Sequence, residues 1–221
     1  GILQDLPEGL AVSDLTQGFG KLPIAFNWLG CQMGLVSAHK IGGPKGIGAL
    51  VLRRGLDVSA QLRGGGQEMG RRAGTENLIG IAGFAAAAEA AARDLANGVW
   101  DRVAEIRNIL DSALSAEGFN TISVGNSVAR LPNTLTLIAP GWKGETQVMA
   151  MDLAGFAVSA GSACSSGKVR ASRVLRAMGF DEALAGQAIR ISLGPDVTEE
   201  AVLRFVQSWS RDYKRILSRI A

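Results

Sequence analysis

A lysine that ends an apolar run and is followed by glycines is a candidate nucleophile. Lys40 stands in this way in SAHKIGGPKGIGAL, residues 37–50, directly after the run MGLVS. Partial desolvation at a strand end lowers an amine's pKa and arms it to attack an aldehyde. Ser37 and His39 beside it carry groups that hydrogen-bond a phosphate. The same string also fits a surface loop with an ordinary lysine. Asp14, in SDLTQ, closes another apolar run. Ligands of α/β sheets gather at the carboxyl ends of strands. An aspartate there can pair with a protonated ring nitrogen, or simply shape a turn.

Two further positions lie late in the chain. Cys164 sits in SAGSACSSGKVRAS, residues 159–172, a run of small and polar residues. Such a run is poor core material and suits a loop that carries a thiol from a substrate to an outside acceptor. Lys168 and Arg170 nearby favour the thiolate; a small packed hydrophobe is the alternative. Arg190 interrupts the apolar string AIRISLG and therefore needs a partner. A substrate carboxylate suits its planar fork, and a structural salt bridge would serve equally. The glycine-rich stretch Arg63–Thr75, RGGGQEMGRRAGT, offers backbone N–H groups and the Thr75 hydroxyl to a phosphate, or is a plain surface excursion. Cys31, in WLGCQMG, reads as packing.

Elements must position these groups. Short strands are expected at Leu10–Val12, buried and ending at Asp14, at Met33–Ser37 and at Ala49–Leu52. The texture changes near Asn77. An alanine-rich helix follows and stops at Gly98. Val103, Ile106, Ile109, Leu110 and Leu114 recur at helical spacing and predict a second helix. Beyond it come a strand at Thr134–Ile138, a short helix at Thr146–Leu153, a short strand at Ala157–Ser159, a helix at Ser172–Met178 and a strand at Ala188–Leu193. A last amphipathic helix is capped by Asp196 or Thr198 and runs to about Ser218.

Composition narrows the class. The 221 residues are 47% hydrophobic and 19% charged, enough to build a core. The net charge of +3 is dispersed and aromatics are few, which speaks against a nucleic-acid surface. No apolar run is long enough to span a bilayer. GILQDLPEGL is unlike a signal peptide. Two distant cysteines form neither a disulfide framework nor a metal cluster. The expected compartment is the cytoplasm.

In order along the chain, DLTQGFGKLP, SAHKIGGPKGIGALVLRRG, GGGQEMGRRAGTENLIGIAGF, GSACSSGKVRASRVLRAMG and AIRISLG followed by TEE resemble the cysteine desulfurases. These are fold-type I pyridoxal-phosphate enzymes of the class V aminotransferase group. The resemblance implies an α/β chain corresponding to the C-terminal part of the family's length. Residues 1–80 would be part of the cofactor-binding large domain, with a mixed, mostly parallel sheet. Residues 81–221 would be a smaller α+β domain carrying the cysteine loop. It implies roles as well. Lys40 would hold pyridoxal 5'-phosphate as an internal Schiff base and later remove the α-proton of the substrate. Asp14 would pair with the pyridine nitrogen, and Gln17 would reach the ring hydroxyl. Ser37 and His39 would bind the phosphate, with Thr75 joining them across a homodimer interface. Arg190 would clamp the carboxylate of L-cysteine. Cys164 would take the sulfur as a persulfide, in a loop like that of the longer-loop subgroup. An iron–sulfur scaffold or a sulfur carrier would be the acceptor protein.

The sequence departs from the family's pattern in places. The family's front half, with the histidine that stacks on the cofactor ring, has no counterpart within these 221 residues. Val12 stands where many relatives have histidine, Gln32 where an acid is usual, and Met69 for an arginine. Ala171 and Arg173 replace a proline and a histidine. Two other readings remain. One is a selenocysteine lyase or another class V enzyme. The other is a non-catalytic fragment, folded mainly through residues 80–221, that binds or dimerises with a longer enzyme.

Overall fold

The computed structural model describes residues 9–161 and 171–220, without the side chain of Ile220. Cys164, Lys168 and Arg170 lie outside the described residues. The chain divides into two compact units, residues 1–98 and 99–221.

In the first unit, β1 (Val12–Asp14), β2 (Met33–Ser37) and β3 (Gly48–Leu52) form one sheet in that order. β1 runs parallel to β2, with Asp14 opposite Leu35. β3 runs antiparallel to β2, with Leu50 opposite Leu35. The parallel pair brings the carboxyl ends of β1 and β2 to the same end of the sheet, so Asp14 and Ser37 start there together. Aligned residues share a face, and alternate residues take the opposite one. On one face Val12, Leu35 and Leu50 are exposed, while Val36 on the other is buried. The expected burial of the first strand is therefore corrected. Leu10 is 61% and Val12 55% exposed, because no layer covers that face among the described residues.

The long helix of this unit, α1 (Leu78–Ala96), opens on Asn77, whose Oδ1 accepts the Gly80 N–H at 3.0 Å. It closes before Gly98, whose φ of 72° is a conformation that suits glycine. Its alanines have a packing purpose. Gly83, Ala87 and Ala91 are spaced four residues apart, so they form one stripe on the helix. A Cβ at Gly83 would lie 2.5 Å from Pro44 Cγ, one at Gly43 3.1 Å from Ala87 Cβ, and one at Gly20 2.9 Å from Ala91 Cβ. Small side chains on the helix and glycines opposite let the loops after β1 and β2 lie directly against it.

The second unit has a four-stranded antiparallel sheet in the order β4 (Ile122–Val124), β5 (Thr134–Ile138), β7 (Ala188–Ser192), β6 (Ser159–Ala160). α2 (Val99–Ala116) and α6 (Glu199–Ile220) pack with it around Leu110, Leu114, Leu135, Leu137, Ile189 and Trp209. α6 buries Val202, Phe205, Val206, Trp209 and Tyr213, a single stripe at steps of one to four residues. The Thr198 hydroxyl accepts the Ala201 N–H at 3.2 Å, so Thr198 is the cap. Inside this core lies Gln147 of α3 (Gly144–Leu153), fully buried. Its Nε2 donates to the carbonyls of Trp142 and Gln187, both at 2.9 Å, and its Oε1 accepts from Trp209 Nε1 at 3.1 Å. A buried amide satisfied on three sides fixes the register of α3 against α6.

The strand expected at 157–159 is observed as Ser159–Ala160. The helix expected from Ser172 is α4 (Arg173–Ala177), with Ser172 as its cap. β4 and α5 (Glu182–Ala185) were not expected. Three or four residues are too few to display a period.

Candidate active site

Asp14 ends β1 and turns the chain. Its Oδ1 accepts the Thr16 N–H at 2.9 Å. The Thr16 hydroxyl first, and that N–H second, hold the exposed carboxyl below the ordinary carboxylate range. Asp14 thus shapes the turn, and it stands as an ionised acceptor at the carboxyl end of β1. Gln17 follows in the same turn, exposed.

The lysine loop leaves the neighbouring strand at the same end. β2 passes into a single turn of 3₁₀ helix, Ala38–Lys40, anchored by Ala38, whose N–H donates to the Ile47 carbonyl and whose carbonyl accepts from Ile41 and Gly43. Ser37 Oγ and His39 Nδ1 are 2.8 Å apart. With the ring proton on Nδ1, the histidine donates to the serine oxygen and leaves the Ser37 hydroxyl proton for an acceptor such as an anion. His39 and Lys40 are both exposed. This corrects the expectation that strand-end placement desolvates Lys40. The turn carries it beyond the end of β2. The desolvated amine at this end is Lys21, only 7% exposed, with its Nζ donating to the Gln17 carbonyl at 3.0 Å. Burial first, and the positive charge of Lys40 second, push Lys21 below the ordinary lysine range.

Both loops rest on α1. Gly20 of the aspartate turn meets Ala91 and Ile41; Gly43 of the lysine loop meets Ala38 and Ala87. At Gly83 the opposing atoms belong to the Pro44 ring, which cannot rotate away. Gly83→Val is therefore expected to destabilise the first unit by about 1–3 kcal/mol, the range for overpacking. A lower midpoint in urea denaturation would show it, and an unchanged midpoint would contradict this packing.

Thr75 lies on the long excursion between β3 and α1, exposed and without a hydrogen bond to Ser37, His39 or Lys40 among the described residues. That excursion is pinned by Arg71, whose Nε donates to Asp57 Oδ1 at 2.6 Å. It takes left-handed backbone at Gly70 and Gly74, as its glycines suggest, and also at Glu68 and Met69, with φ of 50° and 54°. Positive φ at two non-glycine residues is costly.

Arg190 occupies the centre of β7, in the second unit. Its neighbours in register are Thr136 on β5 and Ser159 on β6, so it stands on a hydroxyl-bearing face with the core behind it. Arg190 is exposed. Among the described residues it has no ion pair, which leaves a salt bridge without support. It lines a cavity of about 330 Å³ together with Thr136, Ser172, Arg173 and Met178. Gly161 and Ser172, on either side of the segment that holds Cys164, line the same cavity.

Residues 6–205 match the family model for the class-V aminotransferases. The chain belongs to that family. It is 41% identical over 189 residues to a cysteine desulfurase of Klebsiella pneumoniae, covering 86% of this chain and 47% of that one. It is 43% identical over 192 residues to the cysteine desulfurase IscS of an Anaeromyxobacter strain, covering 86% and 46%. A NifS-like protein from Rickettsia africae superposes with a TM-score of 0.80 at 33% identity, over 92% of this chain and 53% of that one. A second NifS-like protein gives a TM-score of 0.81 at 34% identity, over 93% and 52%. The class-V chain thus spans about half the length of the relatives it matches. Two features of its site were not read from the sequence: Lys21, and the small stripe of α1. The only signals were a lysine inside the apolar string FGKLPI and a run of alanines without a polar face.

Proposed function

We propose that this class-V chain serves the pyridoxal-phosphate-dependent desulfuration of L-cysteine, yielding L-alanine and a sulfur atom carried on Cys164. The observation that carries this reading is that Asp14 and the Ser37–Lys40 turn follow adjacent parallel strands at the same end of the sheet. The donor set there fits the cofactor: an ionised carboxylate for a ring nitrogen, a serine–histidine pair for a phosphate, and an exposed amine for an aldehyde. When bound, the cofactor supplies an electron sink next to the substrate α-carbon.

Each residue has a task. Lys40 holds the cofactor and afterwards takes the α-proton of the substrate. Asp14 keeps the ring nitrogen protonated. Gln17 takes the ring hydroxyl, and Ser37 and His39 take the phosphate. Arg190, unpaired among the described residues, accepts the substrate carboxylate on its fork. The Cys164 thiolate attacks the substrate sulfur, so that an S–S bond forms as the carbon–sulfur bond breaks. The electron pair stays on the substrate side, a proton is taken up, and alanine leaves. Cysteine and one protein thiol become alanine and one protein persulfide, which balances.

The wider reading follows from the family. The first unit, residues 1–98, acts as a portion of the cofactor-binding domain and the second, residues 99–221, as the small domain. Thr75 serves a second copy in a homodimer. The persulfide passes to an iron–sulfur scaffold or sulfur-carrier protein in the cytoplasm. No helix among the described residues is long and apolar enough to cross a membrane. The test is alanine formation from L-cysteine by the chain with added pyridoxal phosphate. Stoichiometric or catalytic alanine is the expected result. A folded chain that binds the cofactor and releases no alanine would overturn the proposal.

A further inference from the structure

We infer that Lys21 is a positioning residue, whose ammonium holds the Gln17 carbonyl and so sets the turn that presents Asp14 and Gln17 to a ligand. The inference rests on the reading of those two residues as ligand-facing.

Lysine is almost never fully buried unless it is paired, and Lys21 is 7% exposed. The turn that it supports is tightly wound. Gly18 and Phe19 donate to the Leu15 carbonyl at 3.0 and 2.7 Å, and Lys21 and Leu22 donate to the Gly18 carbonyl at 3.0 Å. The Gln17 carbonyl accepts from none of these amides. Its donor is the Lys21 ammonium at 3.0 Å, a charge-assisted bond. The turn lies close to the lysine loop, because the glycine before Lys21 packs on Ile41 and Ala91. Lys21 also feels the positive charge of Lys40, so the two amines are near each other. An apolar side chain of similar length would fill the space without desolvating an ammonium. The charge therefore contributes order in the turn more than stability to the fold.

The test compares wild type, Lys21→Met and Lys21→Arg in the full chain, by amide hydrogen exchange at Gly18 and Phe19, pyridoxal-phosphate titration and thermal melting. Lys21→Met is expected to speed exchange at both amides, and to weaken cofactor binding, by about tenfold or more, the factor that loss of one charge-assisted bond carries. Its melting temperature should be level with wild type or higher. Lys21→Arg should recover both to within about threefold, since it keeps the cation. Unchanged exchange in Lys21→Met would overturn the inference. So would a faster-exchanging Lys21→Met whose melting temperature falls and whose defects Lys21→Arg shares, because that marks a merely structural lysine. If wild type binds no pyridoxal phosphate, the cofactor reading fails. Exchange at Gly18 and Phe19 still decides whether Lys21 sets the turn.

Discussion

Lys40→Ala is expected to remove completely the visible-to-near-ultraviolet absorbance that the chain acquires with pyridoxal phosphate. The band needs an imine, and an imine needs a free amine that reaches the aldehyde. Lys40 is the exposed amine on the turn shared with Ser37 and His39. Lys21 is buried and committed to the Gln17 carbonyl, so it cannot take over without dismantling the aspartate turn. Lys40→Arg should lose the band equally. A guanidinium keeps the charge but stays protonated and forms no imine. The arginine variant therefore separates covalent capture from simple attraction of a phosphate, which both cations provide. Difference spectra of the three proteins at equal cofactor concentration make the measurement. A band that survives in Lys40→Ala would move the cofactor elsewhere.

Arg190→Leu is expected to raise the Michaelis constant for L-cysteine by about 10- to 100-fold, the loss of a charge-assisted bond to a carboxylate. The change in turnover number should be smaller, because a carboxylate clamp acts in the ground state and the transition state alike. Loss of folding should not obscure the result. Arg190 is exposed on the hydroxyl-bearing face of β7, and the core side of that strand is formed by Ile189 and Ile191. Arg190→Lys should fall between the two, since a point charge cannot offer two parallel donors. Steady-state kinetics over a wide cysteine range test this. Equal Michaelis constants for all three proteins would return Arg190 to the surface.

Much of the architecture was legible because its signals are long or local. α2 and α6 announce themselves by apolar residues at helical spacing, and β2 by a continuous apolar run between turn residues. The end of α1 follows from its closing glycine. What was misread depends on tertiary surroundings. A strand such as Val12–Asp14 looks buried from its residues, but burial needs a covering layer, which sequence periodicity does not report. The burial of the lysines near this sheet end escapes sequence for the same reason. Lys40 ends an apolar run and is open, whereas Lys21 follows a glycine-rich turn and is closed in. Arg190 interrupts an apolar string because alternate residues of β7 take opposite faces of the sheet. It stands on the polar side of a sheet whose other side is core, between Thr136 and Ser159. The role of the alanines in α1 emerges only from the glycines and the proline they meet across space.

Mass spectrometry after one turnover decides whether the Lys40 turn and Cys164 act in one reaction. The chain is loaded with pyridoxal phosphate, mixed with L-cysteine, alkylated and digested, and the peptide spanning residues 162–170 is weighed. One extra sulfur atom is expected on Cys164, absent when Lys40 is alanine. Alanine formed with no sulfur on Cys164, or sulfur on Cys31 instead, would contradict it.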